Sequence, residues 1–215
     1  MLARVSNVRG STMTGADVLI VAYDTDRTEH ELATGQLACP DCRSTLRPWG
    51  HARPRWLRTH NGRRHVRPRR SRCCDCGRTH VLVPGMMLPR RADAVEVVGE
   101  ALAASAAGEG YRPIAARLGR PAATVRGWVR RFRARAELTL QHAMRCLIRF
   151  DRAVVRIEPD PTATPVQAAL AVLGAAAAAV ERYFAASARS RWQLASALCS
   201  GQLLANTSCP YPPLK

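Results

Sequence analysis

The stretch Tyr111-Arg112-Pro113-Ile114-Ala115-Ala116-Arg117-Leu118-Gly119-Arg120-Pro121-Ala122-Ala123-Thr124-Val125-Arg126-Gly127-Trp128-Val129-Arg130-Arg131-Phe132-Arg133-Ala134-Arg135 decides how this chain reads. Ile114 and Leu118 are one helical turn apart and face a core, and small Ala115 lets a second helix come close. Gly119 takes the turn. Pro121 opens the next helix where its missing N–H costs nothing. Val125, Trp128, Val129 and Phe132 then follow at i, i+3, i+4 and i+7, an inward stripe. The pattern is that of a helix-turn-helix. Its outward residues are Ala122, Ala123, Thr124, Arg126, Gly127, Arg130, Arg131 and Arg133. Recognition helices read base edges with their N-terminal residues, so Thr124, Arg126 and Arg130 are the candidates for major-groove contact, where Arg most often meets guanine. Arg131, Arg133 and Arg135 suit phosphates. Gly127 costs about 1 kcal/mol in a helix interior, which a close backbone approach to DNA would explain.

Upstream, a 3.6-residue period begins at Arg91. Asp93 and Glu96 mark a helix N-terminus, Val95, Val98, Leu102 and Ala106 form its apolar stripe, and Gly108-Glu109-Gly110 ends it. Further upstream lie Cys39-Pro40-Asp41-Cys42 and Cys73-Cys74-Asp75-Cys76-Gly77, two CxxC pairs separated by 30 residues. Zinc takes four tetrahedral ligands, and two such turns brought together by a hairpin close a structural site with no position left for water. One structural Zn2+ on Cys39, Cys42, Cys73 and Cys76 is therefore expected. The spacer exceeds the commonest length, so it holds a longer hairpin or an insertion, in the Arg-rich stretch 53–72. Cys74 sits inside the second knuckle as a competing thiol, and His80 is a reserve ligand. His51, His60 and His65 suit phosphate contact or simple exposure. Cys146, Cys199 and Cys209 stand alone as buried or unpaired thiols.

The 215 residues carry a formal charge of +17, and Lys215 is the only lysine beside 32 arginines. The charge is unevenly placed. Residues 39–91 hold fourteen Arg against two acids, and residues 111–135 hold eight Arg and no acid. Residues 92–110 hold four acids and no base, and residues 1–38 are slightly acidic. Both signs would be interspersed on an ordinary solvated surface. Two concentrated blocks argue for a polyanionic partner and against small-molecule work. Within the first block Arg63, Arg64, Arg69 and Arg70 are candidate DNA contacts.

The N-terminus resembles no signal peptide, and the Ala-rich run 168–180 is short of the roughly 20 residues a bilayer span needs. The expectation is a cytoplasmic, nucleoid-associated chain with reduced thiols, without membrane contact, and with Met13 as a second potential start. Residues 17–22 read as a short strand. Thr28 and Glu31 stand in capping-box register for a helical turn that Gly35 stops. The helix after Pro121 continues or restarts through residues 137–150. A Pro-rich linker spans 159–165, one helix runs from Pro165 to about Ala186, and another from Ser190 to about Leu204. The tail from Cys209 is extended. The division that follows is an N-terminal segment (1–36), a zinc ribbon (37–90), a helix-turn-helix domain (91–136) and a C-terminal helical region (137–215). The fold class is mainly α with a small β zinc ribbon, a three-helix core and C-terminal helices.

The order of CPxC, Arg-rich spacer, Arg72-Cys73-Cys74-Asp75-Cys76-Gly77-Arg78-Thr79-His80, helix and YxxIAxxLG…TVRGWVRRF resembles the N-terminal DNA-binding region of bacterial insertion-sequence transposases. It is similar to transposon-associated zinc-ribbon and helix-turn-helix proteins. The resemblance covers residues 37–135. It implies zinc at the four cysteines and binding of duplex DNA at element ends. Two departures stand out in the knuckles: Cys74, and Arg43 in place of the usual glycine after Cys42. A larger departure lies downstream, where such transposases carry a catalytic domain with three carboxylates and two metal ions. The acids after Arg135 are Glu137, Asp151, Glu158, Asp160 and Glu181, beside Ala-rich helices and a Pro linker. They offer no strands for such a site, and neither a phosphate-binding Gly loop nor a Ser/His/Asp constellation is present.

The expected function is thus non-enzymatic, sequence-specific binding of double-stranded DNA, as a mobile-element accessory or a derived regulator. The alternative is an adaptor whose C-terminal helices recruit a separately encoded transposase or integrase, or a second copy of the chain.

Overall fold

A computed structural model describes residues 17–21, 25–151, 160–184 and 190–205. Over them the fold is mixed, with seven helices and two small sheets. The elements in chain order are β1 (Asp17–Val21), α1 (Thr25–Ala33), β2 (Leu46–His51), β3 (Arg55–Thr59), β4 (Gly62–Val66), β5 (Arg69–Cys73), β6 (Thr79–Pro84), α2 (Val95–Ala106), α3 (Tyr111–Leu118), α4 (Ala122–Arg133), α5 (Ala136–Phe150), α6 (Pro165–Phe184) and α7 (Arg191–Leu198). Of the sequence expectations, Met13, Ala22, Pro159, the last residues of the helix from Pro165, and Cys209 with the tail lie outside the described residues.

The larger sheet has the order β1-β6-β5-β2. Its β2, β5 and β6 are antiparallel neighbours, whereas β1 lies parallel to β6 from Asp17 opposite His80 to Val21 opposite Pro84. The run Leu19-Ile20-Val21, buried throughout, suits this place, because a strand covered on both faces needs apolar side chains on both. Leu19 and Val21 join a small core with Leu32, Leu37, Leu46, Leu82, Cys39 and Cys73. Ile20 points the other way, into the large core with Val83 and the helices. The long spacer between the CxxC pairs supplies β2 and most of β5 and, between them, a separate hairpin of β3 with β4, whose Leu57 is buried in the large core.

Alternation gives the sheet two unlike faces. Leu46, Ser71, Cys73, His80 and Leu82 are buried on one. Arg47, Trp49 and Arg72 are exposed on the other, and Arg47 lies directly opposite Arg72.

The start of α2 departs from its expected capping. Its N-cap is Ala94, with no side-chain cap bond. The backbone anchors this start instead: Ala94 N donates to Arg58 O at 2.9 Å, Arg58 N to Ala92 O at 2.7 Å, and Val95 N, the first of the helix, to Met86 O at 2.9 Å. Asp93 is thereby released for a buried ion cluster. Glu96 also reaches away from its own helix, accepting from Ser190 Oγ at 2.8 Å and Gln193 Nε2 at 2.7 Å. The first helix departs too: α1 starts at Thr25, so Thr28 and Glu31 are buried inside it, and Glu31 takes an ion pair from Arg27 at 2.9 Å.

Helices α3 and α4 occupy the segments read from the 111–135 stretch. Gly119 caps α3 in the left-handed region at φ 61°, ψ 40°. Ile114, Ala115, Val125, Trp128 and Phe132 are all buried. The helix then stops at Arg133, with Ala134 as its C-cap, and α5 restarts after Arg135. A capping box between Thr164 and Gln167 opens α6: Gln167 N donates to Thr164 Oγ1 at 3.4 Å and Thr164 N to Gln167 Oε1 at 2.8 Å. The last helix is shorter than read, ending at Leu198, because Ser200 and Gly201 take positive φ and turn the chain.

Gly99 shows how tightly α2 and α7 meet. A Cβ there would fall 2.1 Å from the Trp192 indole. Alanine normally gains about 1 kcal/mol over glycine in a helix, but a rigid ring has nowhere to retreat. Gly99→Ala is therefore expected to cost about 1–3 kcal/mol by overpacking in urea denaturation. In a Trp192→Ala background the same substitution should become stabilising. A rise in stability with Trp192 in place would contradict the packing described.

Candidate functional site

Each CxxC pair sits on a turn closed by the backbone. At the first, Cys39 N donates to Ser44 O at 2.7 Å and Arg43 N to Cys39 O at 2.9 Å. At the second, Cys73 N donates to Arg78 O at 2.8 Å. Four residues after each leading cysteine the chain turns left-handed, at Arg43 with φ 68° and at Gly77 with φ 69°. The two knuckles thus share one shape, and Arg43 holds without glycine a conformation that costs a side-chain-bearing residue about 1–2 kcal/mol.

The folding of β2 against β5 places Leu46 opposite Cys73 and brings the turns together. The four sulfurs of Cys39, Cys42, Cys73 and Cys76 all lie within 4.8 Å of one another. Cys39 Sγ is 3.7 Å from Cys76 Sγ, and Cys42 Sγ is 3.3 Å from Cys73 Sγ. A tetrahedral ion with metal–sulfur bonds near 2.3 Å would set such separations at about 3.8 Å. These four thiols can hold one metal ion.

The electrostatics fit that use. Burial pushes the Cys39 thiol up to about 12, against the pull of the backbone N–H groups of Cys42 and Asp41. Burial also opposes ionisation of Cys73, but the N–H of Cys76, the Cys42 thiol and the N–H of Asp75 bring it down to about 7. Backbone donors aimed at sulfur are what a bound thiolate requires, and a cation supplies the rest of the charge that burial withholds.

His80 is fully buried, with Nε2 3.4 Å from Cys39 Sγ. It forms a second group with Cys39 and Asp41, but Asp41 is held by Arg78 at 3.1 Å. The four-thiol set already completes a tetrahedron, which leaves His80 as a neighbour that can donate to the Cys39 sulfur. Cys74 turns away from the cluster, accepting from Arg47 Nε at 3.0 Å. Cys146 and Cys199 are buried elsewhere.

The candidate arginines fall into distinct situations. Arg126, Arg130 and Arg133 are exposed along α4, and Thr124 and Arg131 are half-buried. Arg126 lies 5.8 Å over the Tyr111 ring, a contact that the helical period did not reveal. A Cβ at Gly127 would meet Arg131 Nη1 at 2.8 Å, so this glycine makes room for the guanidinium one turn on. Arg135 is buried at the start of α5. It does not present itself to a phosphate, contrary to the expectation from the sequence, because α4 ends before it. Arg63 and Arg64 are exposed on β4. Arg69 is drawn inward by Glu29 at 2.8 Å and by the Gly50 carbonyl at 3.1 Å. Arg70 reaches Thr79 Oγ1 at 3.4 Å.

The arginine that organises the site is Arg120, in the turn between α3 and α4. Its Nε lies 2.6 Å from Asp93 Oδ1, and its Nη2 donates to Thr59 O at 3.0 Å. Arg58 on β3 meets the same carboxylate with Nε at 3.0 Å and Nη2 at 2.6 Å. One buried carboxylate therefore joins the β3–β4 hairpin, the start of α2 and the α3–α4 turn. No motif marks this cluster, since its three residues lie far apart in sequence.

The segment that holds both the cysteines and this cluster is also the one that a comparison picks out. Residues 39–128 match the family of DUF6431, a domain of unknown function. The match starts at the first metal-site cysteine and ends at Trp128 in α4. No curated protein and no solved structure matches the chain. Among the described residues, no helix is long and apolar enough to cross a membrane.

Proposed function

We propose that this chain is a non-catalytic, sequence-specific double-stranded DNA-binding protein of the cytoplasm and nucleoid. In this reading the cysteine turns form a ribbon around one structural zinc ion, and α3 with α4 forms a helix-turn-helix. Its role is that of a mobile-element accessory or a regulator derived from one. Four thiolates in a closed set suit zinc better than harder ions.

The observation that carries the reading is the division of α4. Its inner side is anchored by Val125, Trp128 and Phe132. Its outer side offers Arg126, Arg130 and Arg133, for which no acid lies within ion-pair distance among the described residues. The neighbouring Arg117 and Arg120 are instead neutralised, by Glu100 and Glu109 and by Asp93. The chain thus spends its nearby acids on structural arginines and leaves one helical row for a polyanion.

Binding to duplex DNA as a function of salt tests this. Six or more phosphate contacts would lower affinity on the order of a thousandfold between 50 and 200 mM salt. Arg126→Ala is expected to relax base preference, at a cost of about 1–3 kcal/mol on the preferred site. Arg133→Ala should instead weaken binding on every sequence alike. Weak, salt-insensitive binding of the metal-loaded protein would overturn the reading, and equal losses from both variants would displace the readout face.

A second reading, an adaptor that recruits a transposase or integrase or pairs with its own copy, draws on α5 and α6. Ile148 and Tyr183 are more than half exposed there, and Tyr183 stacks edge-on with Phe150 at 5.7 Å. Duplex binding that survives charge removal on α4, together with loss of self-association in Ile148→Asp, would favour it.

A further inference from the structure

The chain has four tryptophans, and two of them serve a core while two do not. Trp128 is buried and Trp192 packs on α2. Trp49 on β2 and Trp56 on β3 are 50% and 58% exposed. Each of these two rings keeps an aromatic face open to a partner.

The surroundings indicate its chemistry. Trp49 shares the outer face of the large sheet with Arg47 and Arg72, and the Arg72 guanidinium lies 4.7 Å over the Trp49 ring. Arg72 is itself steadied by the Gly77 carbonyl of the second knuckle at 3.2 Å, which ties this ring to the metal turn. Trp56 is set against His65 across the hairpin, with ring centroids 5.1 Å apart, and Arg63 follows on the same face of β4. Both rings are planar, half open to water and bordered by cations, within a block of fourteen arginines and two acids. Paired bases in a duplex keep their faces stacked inside the helix. Exposed rings bordered by arginines match unpaired bases on a charged backbone, where stacking is tolerant of sequence.

We propose that Trp49 and Trp56 are stacking platforms for unpaired deoxynucleotides next to the duplex held by α4. The substrate class is then a junction of double- and single-stranded DNA, such as a frayed or nicked end. This deepens the DNA-binding reading and rests on it for the duplex half.

The test uses the metal-loaded full chain with four probes: a blunt duplex, the same duplex with a single-stranded extension, the extension alone as an oligodeoxynucleotide, and its oligoribonucleotide counterpart. The extended duplex is expected to bind about tenfold tighter than the blunt one and to quench tryptophan fluorescence. Trp49→Ala with Trp56→Ala should abolish that tenfold and the quenching, with blunt-duplex affinity and metal content unchanged. Phe at both positions should keep part of the preference. Equal affinity for blunt and extended duplexes overturns the proposal, as does a preference for the oligoribonucleotide or an equal loss on all probes in the Ala variant. Blunt duplex bound without preference sinks this proposal alone. Trp-dependent binding of the single strand without any duplex binding sinks the duplex reading and leaves the platforms standing.

Discussion

Cys73→Ser with Cys76→Ser is expected to abolish metal binding and to unfold the larger sheet. The small core beneath that sheet comprises eight buried residues, and two of them are the metal-site cysteines Cys39 and Cys73. Without the ion, six aliphatic side chains alone must hold the two turns together. A core of that size contributes only a few kcal/mol, against about 10–16 kcal/mol for structural zinc in small domains. The readout is elemental analysis with limited trypsin digestion. The native protein should carry about one zinc per chain and resist cleavage between residues 43 and 78. The double variant should carry none and be cut at the arginines of that segment, while α2 to α6 stay protected by their own core. One zinc per chain in the double variant would refute the ligand assignment, and full resistance without metal would refute the structural role.

Asp93→Ala is expected to be the most damaging single change away from the cysteines. The carboxylate is 2% exposed and receives both Arg58 and Arg120. Its removal leaves two guanidinium groups facing each other, one of them largely buried. Breaking a buried ion pair from one side costs about 3–5 kcal/mol. Arg120→Met, which leaves Asp93 one partner, should cost less, and the double variant should cost less than the two single losses added, since the groups act as one unit. Urea denaturation measures all three. A loss below about 1 kcal/mol for Asp93→Ala would show that the cluster is not holding the elements together. The DNA reading adds a second consequence: the variant should lose the fixed spacing between hairpin and α4, and hence duplex affinity, even under conditions where it remains folded.

Much of this architecture is legible in the sequence wherever a local rule governs. The 3.6 period with Gly119 and Pro121 gives α3 its end and α4 its start, because turn chemistry and burial there are settled within a few residues. The CxxC spacing brings out the four sulfurs for the same reason. What stays hidden depends on distant partners. Strand β1 pairs with β6 some 60 residues on, and an isolated apolar run says nothing about which strand lies beside it. Asp93 has the sequence position of a helix cap, and only the arrival of β3 and Arg120 turns it into a buried anchor. Arg135 looks like its neighbours in the row of arginines, yet a helix that stops two residues earlier rotates it inward. Trp49 and Trp56 sit in an arginine-rich run without clear alternation, so neither face nor exposure could be assigned to them.

The contact between β1 and the turn after α7 has a bearing on synthesis. Gly201 lies so close to Ile20 that a Cβ there would come within 2.8 Å of Ile20 Cδ1, and Val21 borders Gly85 beside Gln193. The first described strand thus receives its final covering from the last described segment. A ribosome adding about 5–20 residues per second needs on the order of tens of seconds to travel from one to the other. For roughly the first third of that interval the nascent strand lacks its β6 neighbour, and for all of it Ile20 lacks the turn that covers it. Chaperone engagement of the newly made chain should therefore centre on this N-terminal strand, and a variant with a charge at Ile20 should be released early yet never mature.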